Sequence, residues 1–202
     1  MGRVFDRIDD GLAAWIRAQH VFFVGTAPLA AGGHVNVSPK GPIGTLRILG
    51  PRRVAYLDLV GSGAETVAHL RENGRIVVML CAFAGPPRIV RLHGRGRVVQ
   101  IGAPGFEELR AEMDLSGLEA ARDGARAVIV VDVRRVADSC GYGVPRMRYE
   151  GMRPQQADWV GRKRRTGPDA LMDYVADHNA SSVDGLEAFC PDMLPRGGSP
   201  PP

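Results

Sequence analysis

The stretch His34-Val-Asn-Val-Ser-Pro-Lys-Gly41 decides how the rest of the chain is interpreted. Successive side chains of a β-strand point to opposite faces, so alternate residues share a face. As a strand, the stretch places Asn36, Ser38 and Lys40 on one face and two valines on the other. The valines suit a core, whereas the amide, hydroxyl and ammonium groups suit a polar, anionic ligand. The same alternation is typical of a half-exposed strand with a solvated face, so the stretch alone leaves both interpretations open.

The composition is that of a globular protein. Its 202 residues are enough for one domain with a good core, or for a domain with a small appendage. Hydrophobic residues make up 45% and charged residues 24%, while 26 glycines and 15 prolines favour turns and short strands. The longest apolar run, from Ile76 to Ala84, is too short to span a bilayer, and no signal-peptide pattern is present. We therefore expect a cytoplasmic protein with no membrane partner.

Charge and cysteine spacing argue against several kinds of site. The formal net charge of +4 suits a phosphorylated cofactor or an anionic substrate as well as it suits nucleic acid. The basic run Arg162–Arg165 has no evident aromatic stacking platform, so we do not expect nucleic acid as a partner. Cys81, Cys140 and Cys190 lie far apart, and no cysteine or histidine spacing matches a metal site. We therefore expect neither a metal nor a disulfide framework.

The strand pattern predicts a mainly β chain. About six alternating or continuous apolar stretches lie between residues 21 and 133, and most are joined by short, turn-rich connections. Such connections favour antiparallel pairing and a small barrel with added helices over an alternating βαβ fold. Gly94 and Gly96 interrupt the longest strand, which suggests a bulge or a bend at a barrel corner.

The segment Gly61-Ser-Gly63 follows a predicted strand and precedes a predicted helix. It matches the dinucleotide-binding fingerprint poorly, because Thr66 stands at the third glycine position and no acidic residue follows about twenty positions later. A helix start still offers free N–H groups to a phosphate. The alternative is a well-capped helix, since Ser62 and Glu65 have the spacing of a capping box.

The chain divides into three parts by its composition and predicted secondary structure. Residues 1–150 form the predicted barrel domain, in which Asp9 or Asp10 caps a first helix. Residues 151–189 carry two predicted helices and form a C-terminal extension. The glycine- and proline-rich segment 190–202 is expected to be a disordered tail.

The sequence offers no catalytic machinery of its own. No spacing matches a Ser-His-Asp or Cys-His arrangement, and Cys81 lies in an apolar strand, where core packing explains it. If the protein is an enzyme, a bound cofactor performs the chemistry.

An ordered set of short motifs resembles the pyridoxamine 5′-phosphate oxidase-related family of flavin-binding split barrels. The resemblance covers about residues 15 to 135 and extends to Ser139-Cys-Gly-Tyr-Gly143. The motifs are Phe22-Phe-Val-Gly-Thr-Ala27, Val35-Asn-Val-Ser-Pro-Lys-Gly41, Val54-Ala-Tyr-Leu-Asp-Leu59, Gly61-Ser-Gly-Ala-Glu-Thr66, Glu72-Asn-Gly-Arg75 and Arg88-Ile-Val-Arg-Leu-His-Gly94. It implies a mainly β (α+β) fold, a six-stranded antiparallel split β-barrel with flanking helices, and a homodimer with FMN in two symmetric interface clefts.

The resemblance also implies where the cofactor lies. Residues on the opening strand would face the flavin ring and its polar edge or phosphate, 56–59 would run beside the isoalloxazine, and the helix start would approach the ribityl phosphate. The implied cofactor-binding residues are Asn36, Ser38, Lys40, Asp58, Ser62, Gly63, Thr66 and Arg91. Where true pyridoxamine phosphate oxidases have basic residues, this chain has Glu65 and Thr66, and their C-terminal Arg/His substrate motif is not recognisable. Both departures argue against pyridoxamine phosphate as the substrate.

The function implied is an FMN-dependent oxidoreductase acting on an unidentified small molecule. Two alternatives keep the fold: a deazaflavin-dependent reductase, and a non-catalytic flavin- or haem-binding protein.

Overall fold

The computed structural model describes residues 2–42, 44–118 and 123–197. Seven strands form one sheet in the order β3-β2-β6-β7-β8-β5-β4, β1 pairs with β8, and every named pairing is antiparallel. The fold is therefore the mainly β, antiparallel split barrel that the sequence predicts, with eight strands in the described residues rather than six. The strands are β1 (Val4–Phe5), β2 (Phe22–Thr26), β3 (Asn36–Lys40), β4 (Leu46–Gly50), β5 (Arg53–Leu59), β6 (Arg75–Cys81), β7 (Ile89–Gln100) and β8 (Ala125–Ser139).

Helices cover the barrel and follow it. They are α1 (Asp10–Arg17), α2 (Glu65–Glu72), α3 (Phe106–Glu112), α4 (Gln155–Thr166) and α5 (Ala170–Asn179). Asp9 caps α1 by accepting a hydrogen bond from the Leu12 N–H at 2.8 Å, as predicted. Within the described part of the chain, no helix is both long and apolar enough to cross a membrane.

The predicted capping box at the start of α2 is wrong. The residue that precedes this helix is Ala64, which has no side chain able to cap it, and Ser62 is exposed two residues earlier. The first N–H groups of a helix have no partner within the helix. The first turn of α2 therefore has no capping side chain to accept from its N–H groups.

The interrupted long strand is continuous across its glycines. In β7, the pairing with β8 shifts register between His93 and Gly94, which confirms the predicted bulge. A Cβ atom on Gly94 would collide with the carbonyl oxygen of Asp132 on the neighbouring strand. A side chain at this position would prevent the close approach of β7 and β8.

The main core lies on the inner face of the barrel. Val24, Val78 and Leu92 come from adjacent strands and are fully buried there. Helices α1 and α2 close parts of this face, and Val175 of α5 and Phe189 pack into the same cluster. The C-terminal extension is therefore packed onto the barrel core. A second cluster lies between the sheet and α3, around Phe106 and Met113.

The segment after residue 189 keeps specific contacts as far as Gly197. The buried Gln100 side chain bonds both the N–H and the carbonyl of Cys190, at 2.9 and 2.7 Å. Leu194 is buried, and the Gly197 N–H donates to the Asp169 carboxylate at 2.8 Å. These contacts fall within the segment 190–202 that the sequence predicts as a disordered tail, of which residues 198–202 lie outside the described part.

Tyr56 is a core residue whose buried hydroxyl lacks a hydrogen-bond partner among the described residues. Its side chain is fully buried against Phe22, with ring centroids 5.4 Å apart. The hydroxyl has no hydrogen-bond partner among the described residues, and burial raises the pKa of Tyr56 well above its usual range.

Replacing Tyr56 with phenylalanine should raise the free energy of unfolding by about 1–2 kcal/mol, because a buried hydroxyl without a partner carries an uncompensated desolvation cost. Urea unfolding would measure the change. The matched control is Tyr142→Phe, because Tyr142 is 82% exposed and its hydroxyl already contacts solvent. A clear loss of stability in Tyr56→Phe, with Tyr142→Phe unchanged, would show that the hydroxyl is bonded in solution.

Candidate functional site

A cavity of about 1850 Å³ opens where β3, β5 and the start of α2 meet. One wall carries polar groups from these three elements, including Ser38, Asp58 and Thr66. A second wall consists of residues from the end of α1, the turn after β6 and the segment 147–156. Ligand pockets usually measure about 300–1,000 Å³. The cavity is therefore large enough for a cofactor and a second molecule together.

The polar face of β3 points into the barrel and the valine face points outward. In the register with β2, Ser38 lies opposite Val24 and Lys40 lies opposite Phe22, both of which belong to the core. Val35 and Val37 are 73% and 67% exposed. The expectation that these valines pack into the core is therefore wrong. Because β3 ends one side of the sheet, its inner face borders the cavity instead of the closed core.

Asn36 links the hydroxyl groups of this wall. Its side-chain nitrogen donates to the hydroxyls of Thr26 and Thr66, at 3.1 and 3.0 Å. Its carbonyl oxygen accepts a hydrogen bond from the Ser38 hydroxyl at 2.8 Å. The Thr26 hydroxyl also lies 3.0 Å from Nδ1 of the buried His69, so this row of hydrogen bonds extends to the histidine ring. Asn36 itself does not line the cavity, so it acts on the site through its neighbours.

Asp58 is a buried carboxylate held between two cations. Its side chain is 1% exposed, and its two oxygens accept hydrogen bonds from Lys40 Nζ and Arg126 Nε, both at 2.8 Å. Burial alone would raise the pKa of Asp58, but the charges and hydrogen bonds of Lys40 and Arg126 outweigh it and lower the pKa to about 2. Asp58 is therefore ionised at neutral pH, and its charge is balanced within the wall.

Arg126 connects Asp58 to the loop before α2. Its guanidinium donates to the carbonyls of Gly61 and Gly63, at 3.3 and 2.8 Å, and to the Asn179 side chain at 2.7 Å. Asn179, from the end of α5, also donates to the Gly61 carbonyl at 3.1 Å. Both Arg126 and Asn179 are buried. The C-terminal extension therefore helps to fix the loop that leads into the cavity.

The second wall is aromatic and basic. The rings of His20 and Tyr149 stack with centroids 4.0 Å apart, and the Met147 N–H donates to the Phe83 carbonyl at 2.9 Å. Arg148 and Arg153 line the cavity and form no ion pair with a described residue. This wall thus adds uncompensated positive charge to the cavity.

The structure brings most of the predicted cofactor-binding residues together. Five line the cavity: Ser38, Lys40, Asp58, Gly63 and Thr66. Three do not, namely Asn36, Ser62 and Arg91. Asn36 lies directly behind the wall, and Arg91 donates to the Ser139 hydroxyl at 3.0 Å. Tyr56, the first residue of the predicted stretch 56–59, is buried in the core, whereas the other three residues line the cavity.

Comparison with known proteins identifies the family. The family model described as pyridoxamine 5′-phosphate oxidase matches residues 8–140, about two thirds of the chain. The chain belongs to the pyridoxamine 5′-phosphate oxidase family. A curated relative, the pyridoxamine 5′-phosphate oxidase family protein ustO of Aspergillus flavus, is 38% identical over 206 residues, which cover 96% of this chain and 80% of that protein.

Solved structures show more distant similarity to this pyridoxamine 5′-phosphate oxidase family protein. A FAD-binding protein from Mesorhizobium loti is 15% identical and has a TM-score of 0.46, covering 68% of this chain and 96% of its own. The haem storage protein HutZ from Vibrio cholerae is 12% identical with a TM-score of 0.48, covering 65% and 93%.

Sequence reasoning missed several residues of the site in this pyridoxamine 5′-phosphate oxidase family protein. Arg126 had a visible signal, because it is the only charged residue in the apolar run 125–131 at the start of β8 and a buried charge requires a partner. Asp58 gives the matching signal in β5. Asn179 had none, since its contacts lie more than fifty residues away in the chain. In the described part of the chain, no cluster of three or more potential metal ligands occurs.

Proposed function

We propose that this protein is a flavin-dependent oxidoreductase that binds FMN in the cavity and acts on a small molecule. The observation that carries the proposal is the combination of hydroxyls, one ammonium group and an uncapped helix start on a single wall of a large cavity. When bound, the flavin supplies hydride transfer, and the protein binds, orients and tunes it.

The donor groups on this wall fit such a cofactor. Thr66 and Lys40 offer hydrogen-bond donors to ring oxygens or to a phosphate, and the first turn of α2 adds free N–H groups and positive potential. Glu65 is the exception, because its carboxylate lies so close to Gly63 that a Cβ there would clash with it. A phosphate at the helix start therefore requires the Glu65 side chain to turn away.

The exposed outer face of β3 supports a homodimer. Val35 and Val37 are largely exposed, and Phe23 and Met79 lie beside them on the same face, only partly buried. Contiguous exposed apolar surface of this kind marks interaction sites, and a twofold dimer would cover it on both copies. Light scattering on the purified protein should give twice the mass of one chain, and replacing Val37 with aspartate should shift the mass towards that of a single chain.

The absorption spectrum tests the cofactor. Purified protein, incubated with excess FMN and then desalted, should retain flavin bands. A protein that stays colourless would overturn the proposal. Competition between FMN and a deazaflavin would show which of the two cofactors the protein binds more tightly. If the retained flavin cannot be reduced by a nicotinamide cofactor or by a dithionite-reduced partner, the result would favour a storage or binding role.

Replacing Lys40 with methionine should weaken FMN binding by about 1–3 kcal/mol, the range for a lost hydrogen bond to a charged group. The barrel should stay folded, because Asp58 keeps its bond to Arg126 at 2.8 Å. Isothermal titration with FMN would measure the change. Lys163→Met is the control, since Lys163 lies on α4 and does not line the cavity. Unchanged FMN affinity in a folded Lys40→Met variant would contradict the assigned role.

A further inference from the structure

A row of side chains connects the buried ring of His69 to the two hydroxyls that border the cavity. His69 is fully buried, and its Nδ1 lies 3.0 Å from the Thr26 hydroxyl. Asn36 bridges Thr26 to Thr66 and to Ser38. Only Thr66 and Ser38 reach the cavity. Each of these bonds joins two side chains, so none belongs to the backbone pairing of the sheet.

The direction of each hydrogen bond follows from the chemistry of the groups. The Asn36 amide nitrogen is a donor only, and it faces both threonine hydroxyls, so each threonine oxygen accepts from it. The Asn36 carbonyl oxygen is an acceptor only, so the Ser38 hydroxyl donates to it. The Thr26 hydroxyl still has its own hydrogen to donate, and His69 Nδ1, 3.0 Å away, is the acceptor in the arrangement that leaves the fewest groups unpaired.

The opposite arrangement would also connect these groups, and the Asn36 amide distinguishes between the two. If Nδ1 carried the proton, it would donate to Thr26, and Thr26 would then donate to an Asn36 amide turned by 180°. Both threonines would donate to the Asn36 oxygen, and its nitrogen would donate to Ser38. Both orientations make three bonds to the Asn36 side chain, but the orientation in the structure gives both Asn36 N–H groups an acceptor, whereas the turned one leaves one N–H without an acceptor in this row.

We propose that His69 is a positioning residue: its Nδ1 accepts from Thr26 and thereby fixes Ser38 as an acceptor and Thr66 as a donor toward the cavity. In this state the Ser38 hydroxyl donates its hydrogen to the Asn36 oxygen, so Ser38 offers only the lone pairs of its oxygen to a ligand in the cavity. Thr66 accepts from Asn36, so its own hydrogen is free to donate.

The surroundings of His69 agree with a neutral, accepting ring. Burial lowers the pKa of His69, and the carboxylates of Asp184, Glu72 and Glu65 act in the opposite direction without reversing the shift. Nε2 has no hydrogen-bond partner among the described residues, so the tautomer with a proton on Nε2 leaves one group unpaired. The tautomer with a proton on Nδ1 would leave two groups unpaired. They are Nε2 and, if Asn36 keeps its orientation in the structure, the hydrogen of the Thr26 hydroxyl.

This inference rests on the proposed function, because the polarity of Ser38 and Thr66 matters only when a ligand enters the cavity. The matching ligand carries an N–H donor and an acceptor close together. The pyrimidine edge of a flavin has both, as an imide N–H between two carbonyl groups.

The tautomer can be measured without any flavin. Protein labelled with ¹⁵N-histidine gives long-range proton–nitrogen correlations that distinguish Nδ1–H from Nε2–H rings, and the His69→Asn variant identifies the His69 signals by their loss. We expect the neutral Nε2–H form at neutral pH. A ring protonated on Nδ1 would overturn the inference, whatever the outcome of the flavin experiments.

A double-mutant cycle tests the effect on the ligand. His69→Leu removes the acceptor and should lower FMN affinity about tenfold, whereas His69→Asn keeps an acceptor near the Nδ1 position and should stay within about threefold of the wild type. Thr26→Val breaks the row and should cost as much as His69→Leu. The double variant should bind no more weakly than Thr26→Val alone, because coupled residues are not additive.

Additive losses, or a His69→Asn variant as weak as His69→Leu, would show a merely structural role. Circular dichroism checks that each variant is folded. If His69→Leu does not fold, the nearly isosteric Thr26→Val variant decides, and wild-type affinity in it would overturn the inference. If the wild-type protein binds no FMN, the proposed function fails, and the tautomer measurement alone decides whether His69 accepts from Thr26.

Discussion

Replacing Asp58 with alanine should lower the free energy of unfolding by about 3–5 kcal/mol, the range for removing one partner of a buried ion pair. The carboxylate is 1% exposed and accepts from Lys40 and Arg126. Without it, the Arg126 guanidinium, itself 4% exposed, stays buried with no counter-charge. Urea denaturation followed by circular dichroism would measure the loss.

Asp132→Ala is the matched control for this substitution. Asp132 lies on β8, the strand that also carries Arg126, but it is exposed and forms no ion pair with a described residue. It should change stability by less than about 0.5 kcal/mol, as surface substitutions usually do. A similarly small effect in Asp58→Ala would mean that solvent reaches Lys40 and Arg126 in the folded protein.

The same ion pair should make the protein sensitive to acid. The pKa of Asp58 is about 2 in the folded protein, below the ordinary value of 3.8, because the two cations outweigh the effect of burial. A group with a lowered folded-state pKa binds protons better when the chain is unfolded. Its contribution, about 2 kcal/mol, is therefore present above pH 4 or so and is lost as the pH falls towards 2. The Asp58→Asn variant should lack this part of the acid dependence.

The alternation in β3 predicted the strand and its shared faces, but it could not predict which face meets the core. The alternate positions of Asn36, Ser38 and Lys40 in the sequence show that they share one face of the strand. It does not show whether they point inward, because that depends on the partner strand and on where the sheet ends. Apolar content suggested that the valines are inside. The register with β2 puts the polar row inside, at the edge where the barrel opens.

Contacts within the barrel motifs were easier to predict than contacts with the extension. The five predicted residues that line the cavity all come from two strands and one helix start, which short motifs can locate. Arg126 and Asn179 complete the wall from β8 and α5, and nothing local in the sequence places α5 against the Gly61–Gly63 loop. Such placement is a property of the packed chain, since it joins residues more than fifty positions apart in the sequence.

The extension therefore belongs to the site as well as to the core. The Asn179 side chain accepts from Arg126 and donates to the Gly61 carbonyl. The Phe189 ring packs against the Arg126 guanidinium, with 4.9 Å between the ring centroid and the central carbon of the guanidinium. Gln156 of α4 donates to the Val60 carbonyl at 3.2 Å. The loop that precedes α2 is thus held by side chains from both helices of the extension, and we expect its geometry to depend on Arg126 above all.

Replacing Arg126 with methionine should lower the free energy of unfolding by about 3–5 kcal/mol and weaken FMN binding at least about tenfold. Methionine is of similar length but donates no hydrogen bonds. Asp58 would retain only Lys40, and the Gly63 carbonyl and the Asn179 side-chain oxygen would lose the Arg126 donor. Urea unfolding and FMN titration measure the two losses separately.

Arg126→Lys separates the charge of this residue from its shape. Lysine keeps the ion pair with Asp58 but cannot donate to Gly63, Asn179 and Asp58 at once, because an ammonium lacks the planar fork of a guanidinium. It should recover much of the stability and little of the FMN affinity. Arg134→Met, an exposed position on the same strand, should change neither quantity. Full FMN affinity in Arg126→Lys would mean that charge alone shapes the loop, and the bonds to the loop carbonyls would then have no part in binding.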